Sequence, residues 1–280
     1  MQAKLRNAIP TALFLTAVFF SGTPLSQAAQ DEESAQCSKA IVQVVGKHFG
    51  LDSFDFPREN YYPSVENGGL IVAGACKQSP SKKQEVISAF AYDAGNEGEK
   101  TLLIAAIDRR SHKIVASYQY KYIEDPGGIG KVGVDTARYK LSRNVRAFGV
   151  DITPGYSHNC GDGGGGAERT LYVQEGSTLR PILHMPSMSY WRFIKGSKCV
   201  AYSDGEIEIV EDIKLAIEIA DSETKGYRDI VLSATSSRTD GKPIGNGRFH
   251  YTIRYNGQQY PVQEMEQSFY KWQQIGDHEP

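Results

Sequence analysis

Beyond residue 70 the chain alternates hydrophobic and polar positions through most of its length. The sharpest stretch is 206–219. Ile207, Ile209, Ile213, Leu215, Ile217 and Ile219 fall on one parity; Glu208, Asp212, Lys214 and Glu218 fall on the other. A period of two sends successive side chains to opposite faces, so this stretch reads as one long strand, or two joined by a bend, with one face buried and one wet. Phe249, Tyr251, Ile253 and Tyr255 repeat the alternation against His250, Thr252 and Arg254. Asn256-Gly257 then predicts a hairpin turn into Gln258–Val262. Further apolar runs of strand length are Leu70–Ala75, Val86–Tyr92, Leu102–Ile107, Ile114–Tyr122, Val145–Ile152, Thr170–Val173 and Leu179–Leu183. Residues 109–113 and 175–178 read as turns between neighbours. Within Ile114–Tyr122, the residues Ile114, Ala116, Tyr118, Tyr120 and Tyr122 share one face.

The period changes at the two ends. Ile41, Val44, Val45 and His48 share a helical face, and Gly50 is a good stop, which predicts a helix over 31–50 that carries Cys37. Met265, Phe269 and Trp272 predict a short closing helix over 264–275. The aromatic stretch 51–68 between helix and first strand reads as an ordered loop. The fold class is therefore mainly β, with antiparallel, sandwich-like sheets, an N-terminal helix and a short C-terminal helix. One domain, or two modules dividing near 154–167, fits the length.

Three segments place a Gly/Asp-rich turn before an apolar strand: Asp93–Gly98, Cys160–Gly166 and Asp221–Gly226. This arrangement loosely resembles the blades of FG-GAP proteins, and the resemblance implies a small irregular β-propeller as the alternative fold. The segments lack the Phe-Gly-x-Gly-Ala-Pro element and the alternating acids of a calcium loop. Ordinary turn chemistry accounts for them as well.

The first thirty residues bear on compartment. Lys4 and Arg6 precede an apolar run, Thr11–Phe20, followed by Gly22-Thr23-Pro24 and a small-residue site, Ser26–Ala29. This is the pattern of a signal peptide, 1–28. The run is shorter than the roughly 20 residues a membrane span needs. The first cysteine is Cys37, so no lipid anchor is expected. A periplasmic or secreted protein, without a membrane span after cleavage, is the expected product. Loss of the leader removes Lys4 and Arg6 and no acid, which takes the net charge from −2 to −4. Such a protein is a poor partner for nucleic acid. Four cysteines follow the leader: Cys37, Cys76, Cys160 and Cys199. An even set in an oxidising compartment predicts two disulfides. Three pairings are open, and the sequential one, Cys37–Cys76 with Cys160–Cys199, encloses two equal spacings.

Chemical signatures are sparse. There is no Cys-x-x-Cys, no His-Glu-x-x-His and no Gly-x-Ser-x-Gly. Neither metal nor cofactor is expected. Ser79-Pro-Ser-Lys82 lies in a polar loop with no helix after it. The glycine-rich stretch 161–166 reads as a surface connection. Asp93, Asp108, Glu124, Asp125, Asp135 and Asp151 lie near strand ends, and the pattern selects no pair among them for acid–base work. Aromatics give a better lead. Tyr190 and Trp191, Trp272, Tyr61-Tyr62 and the Tyr118/Tyr120/Tyr122 stripe are candidate binding surfaces, because rigid aromatics stack on sugars and anchor protein interfaces. Their competing role is to close the core. The favoured function is an exported binding or inhibitor-type module for a protein or glycan of the cell envelope. The alternative is a cell-envelope hydrolase, signalled by two inward carboxylates or by a histidine with a carboxylate partner in a cleft.

Overall fold

A computed structural model describes residues 37–57, 69–95, 99–123, 128–154, 163–164, 168–186, 189–195, 209–241 and 248–275. The leader 1–28, Cys160, Cys199, Tyr61, Tyr62 and most of the glycine-rich stretch lie outside the described residues. Four consecutive hairpin-linked strands come first: β1 (Leu70–Gln78), β2 (Glu85–Asp93), β3 (Glu99–Asp108) and β4 (Ile114–Ile123). After β5 (Ile129–Asp135), β6 (Phe148–Pro154) and the two-residue β7 (Gly163–Gly164) come β8 (Glu168–Glu175) and β9 (Thr178–Pro186). The remaining strands are β10 (Ser189–Lys195), β11 (Ile209–Thr224), β12 (Tyr227–Arg238) and β13 (Phe249–Ile253).

Two sheets result. The larger has the order β1-β2-β3-β4-β9-β8-β6-β5 and the smaller β13-β12-β11-β10-β7. Among the described strands all ladders are antiparallel except one: β4 and β9 meet in parallel, at the single pair Ser117–Thr178. The end strands β1 and β5 lie against each other, so the larger sheet nearly closes into a barrel. The chain is thus mainly β and antiparallel, with a helix at each end, as expected, and its larger sheet curls upon itself. Register slips supply the curvature. They fall at Ile71/Ala73, Ala106/Ile107, Ile129/Lys131 and Leu171/Tyr172, and each bulge bends and twists its strand. Among the described residues there are no four-stranded blades. The expected Gly/Asp turn at 221–226 is strand up to Thr224, then a two-residue turn at Lys225-Gly226 with φ of 51° and 88°. The long strand β11 continues through the predicted bend with an irregularity at Ile219/Glu223.

Three apolar clusters hold these layers. Ala89, Leu102, Ile104, Ala116, Phe148 and Tyr172 are among those that fill the barrel interior. Leu171, Leu183 and Met185 of the barrel pack with Ile213, Leu215 and Leu232 of the smaller sheet. The third cluster joins helix α1 (Lys39–His48) to β1, β2 and β3. Ser38 caps α1: its backbone is extended, and its hydroxyl accepts from the Ile41 N–H at 3.4 Å. Cys37 therefore stands ahead of the cap and not on the helix. The buried face is Val42, Val45 and Gly46, while His48 is exposed. The predicted face was rotated because Gly46 supplies the contact: Phe54 packs so closely that a Cβ there would meet it at 2.8 Å. Cys37 is bonded to Cys76 of β1, which ties the helix end to the sheet.

Gly74 of β1 makes a similar close approach. A Cβ there would lie 2.4 Å from Cδ1 of Phe90, a fully buried ring already packed edge-on against Phe54. Gly74→Ala is expected to cost about 1–3 kcal/mol through overpacking. A urea midpoint unchanged from wild type would contradict it.

The predicted hairpin after Asn256 does not form. Asn256 Oδ1 accepts from the Gln258 and Gln259 N–H groups, both at 2.8 Å, and closes a local turn. The chain then buries Tyr260, whose N–H donates to the Ile182 carbonyl at 2.7 Å. Helix α2 (Gln263–Ile275) follows, with Met265, Phe269 and Trp272 in the core as its spacing predicts. No helix among the described residues is long and apolar enough to cross a membrane.

Candidate functional site

At the β4–β9 junction the described strands are joined only at Ser117–Thr178. Two local features of β9 separate it from β4. Pro181 has no N–H to offer a ladder. The register slip opposite Leu171/Tyr172 leaves Ile182 as an extra residue, and its carbonyl is taken by Tyr260. Beyond Ser117–Thr178 the strands part around a cleft of about 290 Å³. Tyr118 and Tyr120 enter it from β4, Glu168, Thr170 and Tyr172 from β8, and His184 from β9.

Aromatic rings run from solvent through this cleft into the barrel. Tyr120 is 53% exposed. Its ring lies 6.5 Å from that of Tyr118 at an interplanar angle of 11°. Tyr118 meets Tyr172 at 5.2 Å, and Tyr172 stacks on buried Phe148 at 5.8 Å. Tyr118 and Tyr120 of the stripe thus form a half-exposed surface leading inward, while the side chain of Tyr122 lies outside what the structure describes. Burial, and next to it Tyr120, pushes the Tyr118 phenol above its ordinary range.

Polar groups gather at the same cleft. Thr170 and His184 are register partners on β8 and β9, and Thr170 Oγ1 shares a hydrogen bond of 2.9 Å with His184 Nδ1. His184 Nε2 lies 3.5 Å from Glu168 Oε2. Their side chains remain 63% and 47% exposed, so water screens this pair. The sequence pattern had not singled out this group. Counting back from the 175–178 turn pairs Thr170 with Leu183; only the extra residue at Ile182 brings His184 opposite it.

The other candidates fall elsewhere. Trp272 is buried, with its indole against Phe249 and Phe269. Tyr190 and Trp191 are described by backbone alone: Trp191 pairs with Asp212 of β11 and Gly164 of β7. The glycine-rich stretch therefore lends an edge strand to the smaller sheet. Among the strand-end acids, Asp93 pairs with Lys100 at 3.0 Å, and Asp108 caps its own turn through Ser111 and Arg110. Glu124 and Asp125 lie outside the described residues. Asp135 and Asp151 do converge, but on Arg169. Its Nε and Nη2 donate to the two oxygens of Asp151 at 2.6 Å, its Nη1 lies 2.6 Å from Asp135 Oδ2, and Nη1 donates to the Tyr139 hydroxyl at 2.7 Å. Tyr139 in turn donates to Asp135 at 2.6 Å. Every polar atom of this cluster is engaged with its neighbours, which marks a structural ion cluster holding β5, β6 and β8. Among the described residues no group of three His, Cys, Asp or Glu side chains is placed to hold a metal ion.

Three phenols give the fold a pH signature. Burial is the main cause that pushes Tyr139, Tyr172 and Tyr260 well above the ordinary phenol range, helped by Asp135, Tyr118 and Asp229 respectively. In the unfolded chain they lose their protons near pH 10, while in the folded protein they keep them. Their contribution is present below that pH and is lost as pH rises. Each adds a slope of about 1.4 kcal/mol per pH unit. Urea midpoints are expected to hold between about pH 8 and 9.5 and fall steeply above 10. Tyr172→Phe should remove one group's share of that slope, and an unchanged slope would exclude this origin.

No protein-family model, no curated protein and no solved structure matches the chain.

Proposed function

We propose that this chain is an exported binding module of the periplasm or extracellular space, and that the open seam between β4 and β9 is its ligand site. The observation that carries the reading is the run of tyrosine rings from exposed Tyr120 to buried Tyr172 in a cleft with convergent polar groups. Ligand sites favour such an arrangement, a mainly apolar wall with a few orienting polar side chains. The ladders on either side make the walls rigid, so little ordering cost falls on binding. Export is supported by the leader pattern and by the Cys37–Cys76 bond, which suits an oxidising compartment. The partner class is a protein or glycan of the cell envelope. Affinity capture from envelope extract, with the mature wild-type chain beside Tyr118→Ala/Tyr120→Ala, tests the site. The wild type should retain a component that the double variant retains about tenfold less. Equal capture by both would remove the seam from consideration.

A second reading draws on His184, which stands between Thr170 and Glu168. A histidine with a carboxylate partner in a cleft is the arrangement a hydrolase would need. Against it stands the exposure of His184 and Glu168, since a nucleophile and its base act best where water is excluded. An ester-hydrolysis activity lost in His184→Ala, with binding retained, would favour this reading over the first.

A further inference from the structure

We infer that the seam cleft takes a neutral sugar ring, stacked on Tyr118 and Tyr120 and held at its hydroxyls by Thr170, His184 and Glu168. The inference rests on the seam being the ligand site. A pyranose ring has a face rich in C–H groups and an edge of hydroxyls. The cleft has the matching asymmetry: tyrosine rings from β4, and a hydroxyl, an imidazole and a carboxylate from β8 and β9. Phenol faces are electron-rich and attract C–H groups, and a carboxylate accepts two hydroxyls at once. Gln259 adds an amide at the same cleft.

Charge narrows the class. Among the described residues no lysine or arginine lines the cleft, and Glu168 contributes a negative charge. A phosphate or carboxylate on the ligand would enter without a counter-charge and beside a like one, which is unfavourable. Size narrows it again. A cleft of about 290 Å³ lies at the small end of ligand sites, room for a ring or two at the end of a chain. A peptide adding as a strand would need the edge of β9 free, and there the Ile182 carbonyl is already occupied by the Tyr260 N–H. A wholly apolar ligand would leave the ring of Tyr120 wet, whereas an amphipathic sugar tolerates a half-open cleft.

The test is an NMR titration of the mature chain, with tyrosine ring resonances assigned. The probes are glucose, galactose, mannose, N-acetylglucosamine and their disaccharides, beside glucuronic acid, glucose 6-phosphate and an extended tetrapeptide. At least one neutral sugar should shift Tyr118, Tyr120 and Tyr172 saturably. Tyr120→Ala should weaken it about tenfold, and Glu168→Gln should narrow its advantage over the acidic sugars. Tyr270→Ala, a change to an exposed ring on α2, should leave the titration unchanged. Silence of every neutral sugar overturns the inference. If the tetrapeptide or an acidic sugar then shifts the same rings, the sugar class alone has failed and the seam stands. If a neutral sugar binds with shifts elsewhere and Tyr120→Ala is without effect, the seam itself has failed.

Discussion

Arg169→Met should lower the unfolding free energy by about 3–5 kcal/mol, the cost of breaking a buried charge cluster from one side. The guanidinium is only 6% exposed, and the carboxylates of Asp135 and Asp151 are about four-fifths buried around it. Methionine fills much the same space, so the loss would not come from a cavity. It comes from leaving two carboxylates facing each other, with Tyr139 able to satisfy one oxygen of Asp135. Gly149 makes the arrangement possible: a Cβ there would stand 3.2 Å from the Asp135 side chain and 3.4 Å from that of Arg169. The companion variant Arg169→Met/Asp135→Asn/Asp151→Asn removes the uncompensated charge and should recover most of the loss. Urea unfolding at neutral pH reads both. If the triple variant is no more stable than the single one, the cluster acts through packing and the electrostatic account is wrong.

Replacing Cys37 and Cys76 together by serine should cost about 4 kcal/mol, from the entropy released when a loop of this length opens in the unfolded chain. The two cysteines are 39 positions apart. The bond joins the chain just ahead of the α1 cap to the middle of the α1–sheet cluster, so the loss should be local as well as global. Val42 and Val45 bury themselves against Ile71 and Phe90. Without the bond, hydrogen exchange in α1 should speed up well before that in β2 and β3. Equal urea midpoints for variant and wild type would show that the helix is held by packing alone.

Much of the fold was legible because burial on one face imposes a period of two. β11 alternates buried Ile213 and Leu215 with exposed Asp212, Lys214 and Ala216, and Met265, Phe269 and Trp272 share one buried helix face. Barrel closure was not legible, because it depends on register slips at single residues, and an extra residue in a strand leaves both flanking alternations intact. The site suffers most from this. Tyr118 and Tyr120 could be read as a stripe. Their partner His184 could not, since its place opposite Thr170 follows from the extra Ile182. The hairpin expected at Asn256-Gly257 failed for a different reason: the buried ring of Tyr260, capped by the Arg228 carbonyl at 2.5 Å, outweighs a local turn preference. The Cys37–Cys76 bond belongs to one of the three pairings the cysteine count left open, whereas the helix face it serves was set by Phe54 leaning on Gly46.

The approach of β5 to β1 has a meaning for life in a crowded solution. The β1 sequence, LIVAGACKQ, is the kind of apolar, β-prone segment that recruits other chains when its edge is bare. Here Asp55 bridges the start of that edge and β5 covers more of it. Curling the sheet until its ends meet therefore acts as protection against self-assembly, achieved through shape, with Lys77 as the one charge along the strand.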